Sequence, residues 1–198
     1  MLVVMNSRVR SSRRLIAAST LLFSVLVLLP PARATVARAL SLSQLVNSSS
    51  DVVVGTTLTS ESKWESLGGQ KRIVTYSDLR VDDSVVGKAK TGEKLRILTL
   101  GGRVGDIGQA VLGAAKLRKG EQALMFLSKS DTTRRVVGMS QGQFLVRRGE
   151  DGKRRVELGA QRAHLLGASS SAAHLLQGIE LSRAVELVRA AKGKIDED

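Results

Sequence analysis

The chain has 198 residues, 42% hydrophobic and 25% charged, with 31 Lys and Arg against 18 Asp and Glu. That length suits one domain with at most a tail, and two Pro with a mean hydropathy near zero exclude a collagen, a polytopic membrane protein and a wholly disordered chain. No Cys and only two His exclude a disulfide framework, Cys-ligated zinc, a catalytic Cys and a His-rich metal centre.

The first segment reads as an address. Arg8, Arg10, Arg13 and Arg14 give a positive start, Leu15 to Leu29 an apolar run, and Pro30-Pro31 a stop. Ala32 and Ala34 then place small residues where a signal peptidase reads them. The pattern predicts a secretory signal peptide over 1–34, cut after Ala34. The alternative is an uncleaved N-terminal anchor, although the apolar run is shorter than the ~20 residues of a spanning helix. Ser12-Arg13-Arg14 resembles the start of a twin-arginine signal, but the strongly apolar run favours the general secretory route. The destination is then the periplasm, the cell surface or the medium, and the signal segment is the chain's one expected membrane contact. Cleavage removes five Arg and no acid, leaving 164 residues with 26 basic and 18 acidic side chains, a net +8. Without Cys, the exported chain must be stabilised by packing alone.

Ser41-Leu42-Ser43-Gln44 is a capping box, predicting a short helix over 42–48 with Leu40 and Leu45 as its staple. Asn47-Ser48-Ser49 fits a glycosylation acceptor and reads here as a helix end and loop. Asp51 opens a β-rich stretch. Val52–Leu58, apolar on both faces, predicts a central strand; Ile73–Val81 predicts the next, with a bulge at Ser77-Asp78 and a turn at Gly68-Gly69 before it. Leu95–Leu100, Ala123–Leu127, Arg135–Met139, Gln143–Arg147 and Arg154–Leu158 follow, the last two flanking a hairpin turn at Gly149–Gly152. Ala168–Ala173 reads as a linker. Leu181, Ala184, Val185 and Val188 recur at helical spacing, predicting an amphipathic helix over 182–192 that Gly193 ends. The helix either docks on its own core or waits for a partner, and docking is the commoner use of such a stripe. The organisation expected is a signal peptide (1–34), a small antiparallel barrel or sandwich (35–158), and a linker with C-terminal helix (159–198).

Few residues assemble into recognisable chemistry. Gly101–Gly108 follows a strand but lacks the glycine spacing of a dinucleotide loop and the Gly-Lys-Ser/Thr of a nucleotide loop. It reads as a turn needing positive φ, or as a binding loop with Arg103 and Gln109 as polar tips. His164 and His174 have no helical partner for a metal and read as surface residues. No Gly-x-Ser-x-Gly elbow is present, and Asp82-Asp83, adjacent in a strand, point to opposite faces. Basic clusters occur at 116–119, 134–135, 147–148 and 153–155. Arg147, Arg148, Arg154 and Arg155 would face each other across the last hairpin, either as a solvated face or as a surface for an anionic envelope component. Nucleic acid is disfavoured, because Phe126 and Phe144 read as core and leave few aromatics for base stacking.

The residues Asp51–Gly55, the 101–109 loop with Gly113, Gly120-Glu121 before Leu124–Leu127, and Val136-Val137-Gly138 with Gln141–Phe144 together resemble a group of secreted bacterial proteins of unassigned activity. Their strand layout is similar to the netrin-like domain of tissue inhibitors of metalloproteinases, an OB-type barrel. The resemblance spans Ser41 to Val146 and implies a mainly β, OB-like barrel. Those inhibitors chelate the protease's zinc through an N-terminal Cys, which this chain lacks, so the inhibition mechanism does not carry over. The expectation is an exported, non-catalytic binding or accessory module without cofactor or metal, acting on an unknown protein or anionic envelope component. The alternative is a secreted hydrolase with an unrecognised active site.

Overall fold

Two long strands joined by a two-glycine turn set the layout. The structure, a computed structural model, describes residues 37–130, 132–159, 165–166 and 171–196. The expected signal segment with Ala32 and Ala34, and His164, lie outside the described residues. All described residues belong to one compact unit, Val36–Asp198.

A short strand β1 (Ala37–Arg38) leads to helix α1 (Leu42–Asn47), which opens on the expected capping box: Ser41 Oγ accepts from the Gln44 amide, and Gln44 Oε1 accepts from the Ser41 amide. Strands β2 (Asp51–Leu67) and β3 (Gln70–Val86) are 17 residues each, far longer than their apolar runs. Gly68 and Gly69, at φ +58° and +76°, form the tight turn that suits right-twisted strands, so the hairpin continues outward on paired polar residues. The expected irregularity near Asp78 falls on the other strand. Leu58 is the extra residue where Thr57 pairs with Leu79 and Thr59 with Asp78, while β3 passes regularly along β4 (Lys94–Leu100). Val85 and Asp82 are further extra residues on β3. Such bulges sharpen strand twist and let the sheet curl.

Gly101–Gly108 is a miniature hairpin, β5 (Gly102–Val104) and β6 (Ile107–Gln109). Strand β7 (Gln122–Ser130) continues the large sheet. The strand expected at 135–139 is instead β8 (Thr133–Val136), because Gly138 and Met139 both adopt φ +63° and break the extended run. Strands β9 (Gln143–Arg148) and β10 (Arg154–Leu158) form the expected hairpin. β11 (Leu165–Leu166) pairs in parallel with β1. The Ser/Ala stretch does not stay a linker through Ala173. Ser171 accepts from the His174 amide and caps helix α2 (Ala172–Leu176). Helix α3 (Leu181–Asp196) runs through Gly193, which therefore does not end it. Glycine costs a helix only about 1 kcal/mol, less than the docked apolar face of α3 returns.

The large sheet has the order β10-β9-β7-β2-β3-β4-β8, and β8 also pairs with β7. Five strands thus hydrogen-bond in a ring, β2-β3-β4-β8-β7, its weakest link a single parallel pair, Ile97 with Arg134. Alternation along β2 and β7 explains why both read as apolar on two faces. Val53, Met125 and Leu127 point into the ring with Leu79, Ile97 and Leu145. Val52, Val54, Leu124 and Phe126 point outward, join Phe144, and are covered by Leu45, Leu176, Ala184 and Val188 of the three helices. Phe126 and Phe144 meet edge to face with centroids 6.1 Å apart. The C-terminal helix therefore docks on its own core. The free edge of β10 is closed by residues 178–180, where Val156 N–H donates to Ile179 O at 3.0 Å and Gly178 N–H to Val156 O at 2.7 Å.

Candidate functional site

Beyond Leu58, β2 reads Thr59-Ser60-Glu61-Ser62-Lys63-Trp64, largely polar and exposed, while its partner β3 buries Ile73, Val74 and Ser77; this outer part of the β2–β3 pair forms an arm. One face of the arm is a ladder of hydroxyls: Ser60 Oγ lies 3.0 Å from Ser77 Oγ, and Ser62 Oγ 2.9 Å from Thr75 Oγ1. Thr75 donates to Gly101 O at 2.7 Å, so its single proton is used and Ser62 must be the donor to it. The β5–β6 hairpin lies directly on this ladder. A Cβ on Gly102 would stand 2.3 Å from Ser62 Oγ and 2.4 Å from Thr75 Oγ1, so only glycine admits the approach. Two more bonds fix the hairpin, both to Ile73: its N–H donates to Gln109 Oε1 at 2.7 Å and its carbonyl accepts from Gly101 N–H at 2.9 Å.

Between the arm, the hairpin and residues 110–118 lies a cleft of about 610 Å³. Its lining carries three cations, Arg103, Lys116 and Arg118, with the hydroxyls of Ser60, Ser62, Thr75 and Thr99, and no carboxylate. Lys116 is held by its backbone: its N–H donates to Gln143 Oε1 at 3.2 Å and its carbonyl accepts from Gln143 Nε2 at 2.7 Å. Gln143, 2% exposed, is thus a buried clamp, and the exposed Lys116 makes no ion pair among the described residues. Arg118 is 3.8 Å from Glu121, which also takes Arg147 at 3.0 Å. Opposite, Arg103 donates to Gly105 O at 3.0 Å and stands 4.0 Å from the fully exposed Asp106.

Of the residues singled out from sequence, Arg103 is on the cleft rim. Gln109 also lines the cleft, but it is not a polar tip: its amide oxygen is committed to the arm, because Ile73 N–H has no strand partner there. The four hairpin arginines do not act as one group. Arg147 and Arg155 share one face, Arg148 and Arg154 the other. Arg155 makes a fork to Asp151 at 2.8 and 2.5 Å, and this guanidinium holds the Asp151 carboxyl down at about 2. Arg147 is taken by Glu121 and Lys153 by Glu180, whereas Arg148 and Arg154 make no ion pair among the described residues. His174 is an exposed residue of α2. Asp82 and Asp83 are separated by the bulge, and Asp82 accepts from Thr56 at 2.6 Å, Gln122 at 2.7 Å and Arg80 at 3.0 Å. Burial pushes the Asp82 carboxyl up, and these three donors outweigh it and hold it below its ordinary value.

Sequence reasoning did not place Lys116 and Arg118 in a site, nor the hydroxyl ladder. The basic run was visible, and so were Ser60-x-Ser62 and Thr75-x-Ser77. Only the register that sets Ser60 against Ser77 and Ser62 against Thr75 turns them into one surface. On the other face of the arm, Tyr76 is flanked by Lys63 at 4.5 Å and Arg96 at 5.0 Å and donates to Glu65 at 2.8 Å, which makes this aromatic a structural tie. No protein-family model, curated protein or solved structure matches the chain.

Proposed function

We propose that the protein is an exported, non-catalytic binding module on an OB-type barrel, which holds an anionic ligand in the cleft under the β5–β6 hairpin. The observation that carries this reading is the lining: three cations around about 610 Å³, with no carboxylate among the lining residues. Glu121 and Asp106 stand just outside it, 3.8 Å from Arg118 and 4.0 Å from Arg103, so Lys116 is the cation most open to an anion, and its fixed backbone limits the ordering cost of binding. The barrel reading is supported by the ring, in which a three-strand meander is closed by a parallel third-to-fifth pairing and an antiparallel first-to-fourth pairing. This is the layout the netrin-like resemblance implies. Export rests on the tripartite leader in the sequence. The binding reading is supported by Ser60 and Ser62, whose hydroxyls are engaged with those of Ser77 and Thr75.

The test uses the full chain, expressed with its own leader and recovered as the cell delivers it. Titration with inorganic phosphate, followed by amide chemical shifts, should give saturable changes at Ser60–Ser62, Thr75 and residues 101–118. The Lys116→Ala/Arg118→Ala pair should weaken binding at least tenfold. Shifts scattered over the surface, or unchanged in the double variant, would refute the site.

A further inference from the structure

A second cavity of about 200 Å³ lies against the cleft: Thr99, Leu100, Ala114 and Ala115 line both, and the second is completed by Leu98, Arg135, Val136 and Met139. Apart from Thr99 and Arg135 at its rim, that cavity is walled by apolar side chains. It exists because β4 and β8 pair only at Ile97 and Arg134 and then diverge, leaving Leu98–Leu100 without a strand neighbour on that side. Its far wall is Met139, the one non-glycine with positive φ among the described residues, at +63° and 43% exposed. A bulky residue resists this conformation, and such strain persists where surrounding structure imposes it. Here the next residue supplies the hold: Ser140 N–H donates to Gly113 O at 2.8 Å, tying the strained turn to the segment that carries Lys116. Leu100 and Leu112 are exposed nearby. Two neighbouring hollows thus share one wall, the first cationic and hydroxylated and the second mainly apolar.

We propose that the ligand is an anionic amphiphile, with the headgroup at Lys116 and Arg118 and a short apolar chain in the cavity between Leu98, Leu100 and Met139. The proposal rests on the cleft being the anion site and adds the chain. An apolar void of ~150 Å³ takes up benzene, so this somewhat larger one holds a chain of about six to eight carbons and not a full acyl tail. Filling it with methylenes is favourable because six of its eight lining side chains, all but Thr99 and Arg135, are apolar.

The experiment titrates the same leader-processed protein with inorganic phosphate, then with butyl, hexyl and octyl phosphate below their aggregation limits, by calorimetry. Affinity should rise roughly two- to fourfold per methylene and level off once the cavity is filled. Met139→Asn, which tolerates left-handed backbone and puts an amide in the apolar wall, should abolish the chain-length gain, read within the variant as the ratio of octyl phosphate to inorganic phosphate affinity. Lys116→Ala/Arg118→Ala should weaken every member of the series by the same factor. If octyl phosphate binds no better than phosphate, the amphiphile is refuted and the anion cleft stands. If none of the four binds, both fail. If Arg135→Ala removes the headgroup contribution and the Lys116/Arg118 pair does not, the orientation proposed is wrong.

Discussion

The Asp51 carboxylate, 3% exposed, ties three segments together. It accepts from Ser50 Oγ at 2.9 Å, from the amides of Lys88 and Ala89 at 3.1 and 3.0 Å, and from Arg134 Nε at 3.0 Å. Burial pushes its pKa up, but these donors together outweigh burial and hold it below the ordinary value. A carboxyl with a depressed folded-state pKa stabilises the fold above its unfolded pKa, about 4, and loses that contribution as pH falls through the folded value. Asp51→Asn should therefore cost about 3 kcal/mol in a denaturant melt at pH 7, since Arg134 is left half-buried without a counterion. It should also flatten the loss of stability below pH 4; an unchanged acid limb would show that the pair does not set it. Gly102 is the second such point. Gly102→Ala forces a Cβ onto Ser62 and Thr75 at a φ of +139°, and should destabilise the hairpin's seat by roughly 1–3 kcal/mol. Phosphate shifts over 101–118 should shrink with it. That Asp51 begins a strand is readable from the chain, but its three distant partners are not, because they come from Lys88, Ala89 and Arg134 across two loops.

The C-terminal helix and the short α2 make one face of the outer core, so their loss is not local. Leu176 is fully buried against Phe126, Phe144 and Val156, whereas its neighbour Leu175 is 48% exposed. Leu176→Ala should cost about 2–5 kcal/mol and Leu175→Ala under about 0.5 kcal/mol in the same melt. A chain ended at Gly178 should lose cooperative unfolding, because it uncovers the outer apolar face of β2 and β7 and also the edge of β10. A normal melt from that truncation would show that the helix is an accessory to the sheet. The helical spacing of Leu181, Ala184, Val185 and Val188 announces an apolar stripe without naming what it covers. The answer lay in Val52, Val54, Leu124 and Phe126, whose two-faced strands signal a second apolar layer. The length of β2 and β3 was not legible, since the outer part of β2 is polar and exposed and is held by its pairing to β3, whose Ile73, Val74 and Ser77 are the buried residues there.

Across the whole molecule, basic excess and binding chemistry are separable. Arg147, Lys153 and Arg155 are partnered by Glu121, Glu180 and Asp151, exposed pairs that contribute little to stability. Retention on heparin should follow net charge, falling with salt and dropping by a similar amount for Arg148→Ala/Arg154→Ala and for Lys116→Ala/Arg118→Ala. Phosphate titration should respond to the second pair alone. Equal effects in both measurements would mean that the cleft is only part of a diffuse basic surface. From the residues themselves come the capping box, the glycine turns, the strand cores, the two-sided apolar pattern and the helical stripe, since each is decided by neighbours within a few positions. Ring closure, the hydroxyl ladder, the bond from Ile73 to Gln109, the burial of Gln143 and the neighbouring polar and apolar hollows were decided only by tertiary structure. Each depends on which distant strand lies alongside and in what register, and that is settled by packing the two apolar layers together.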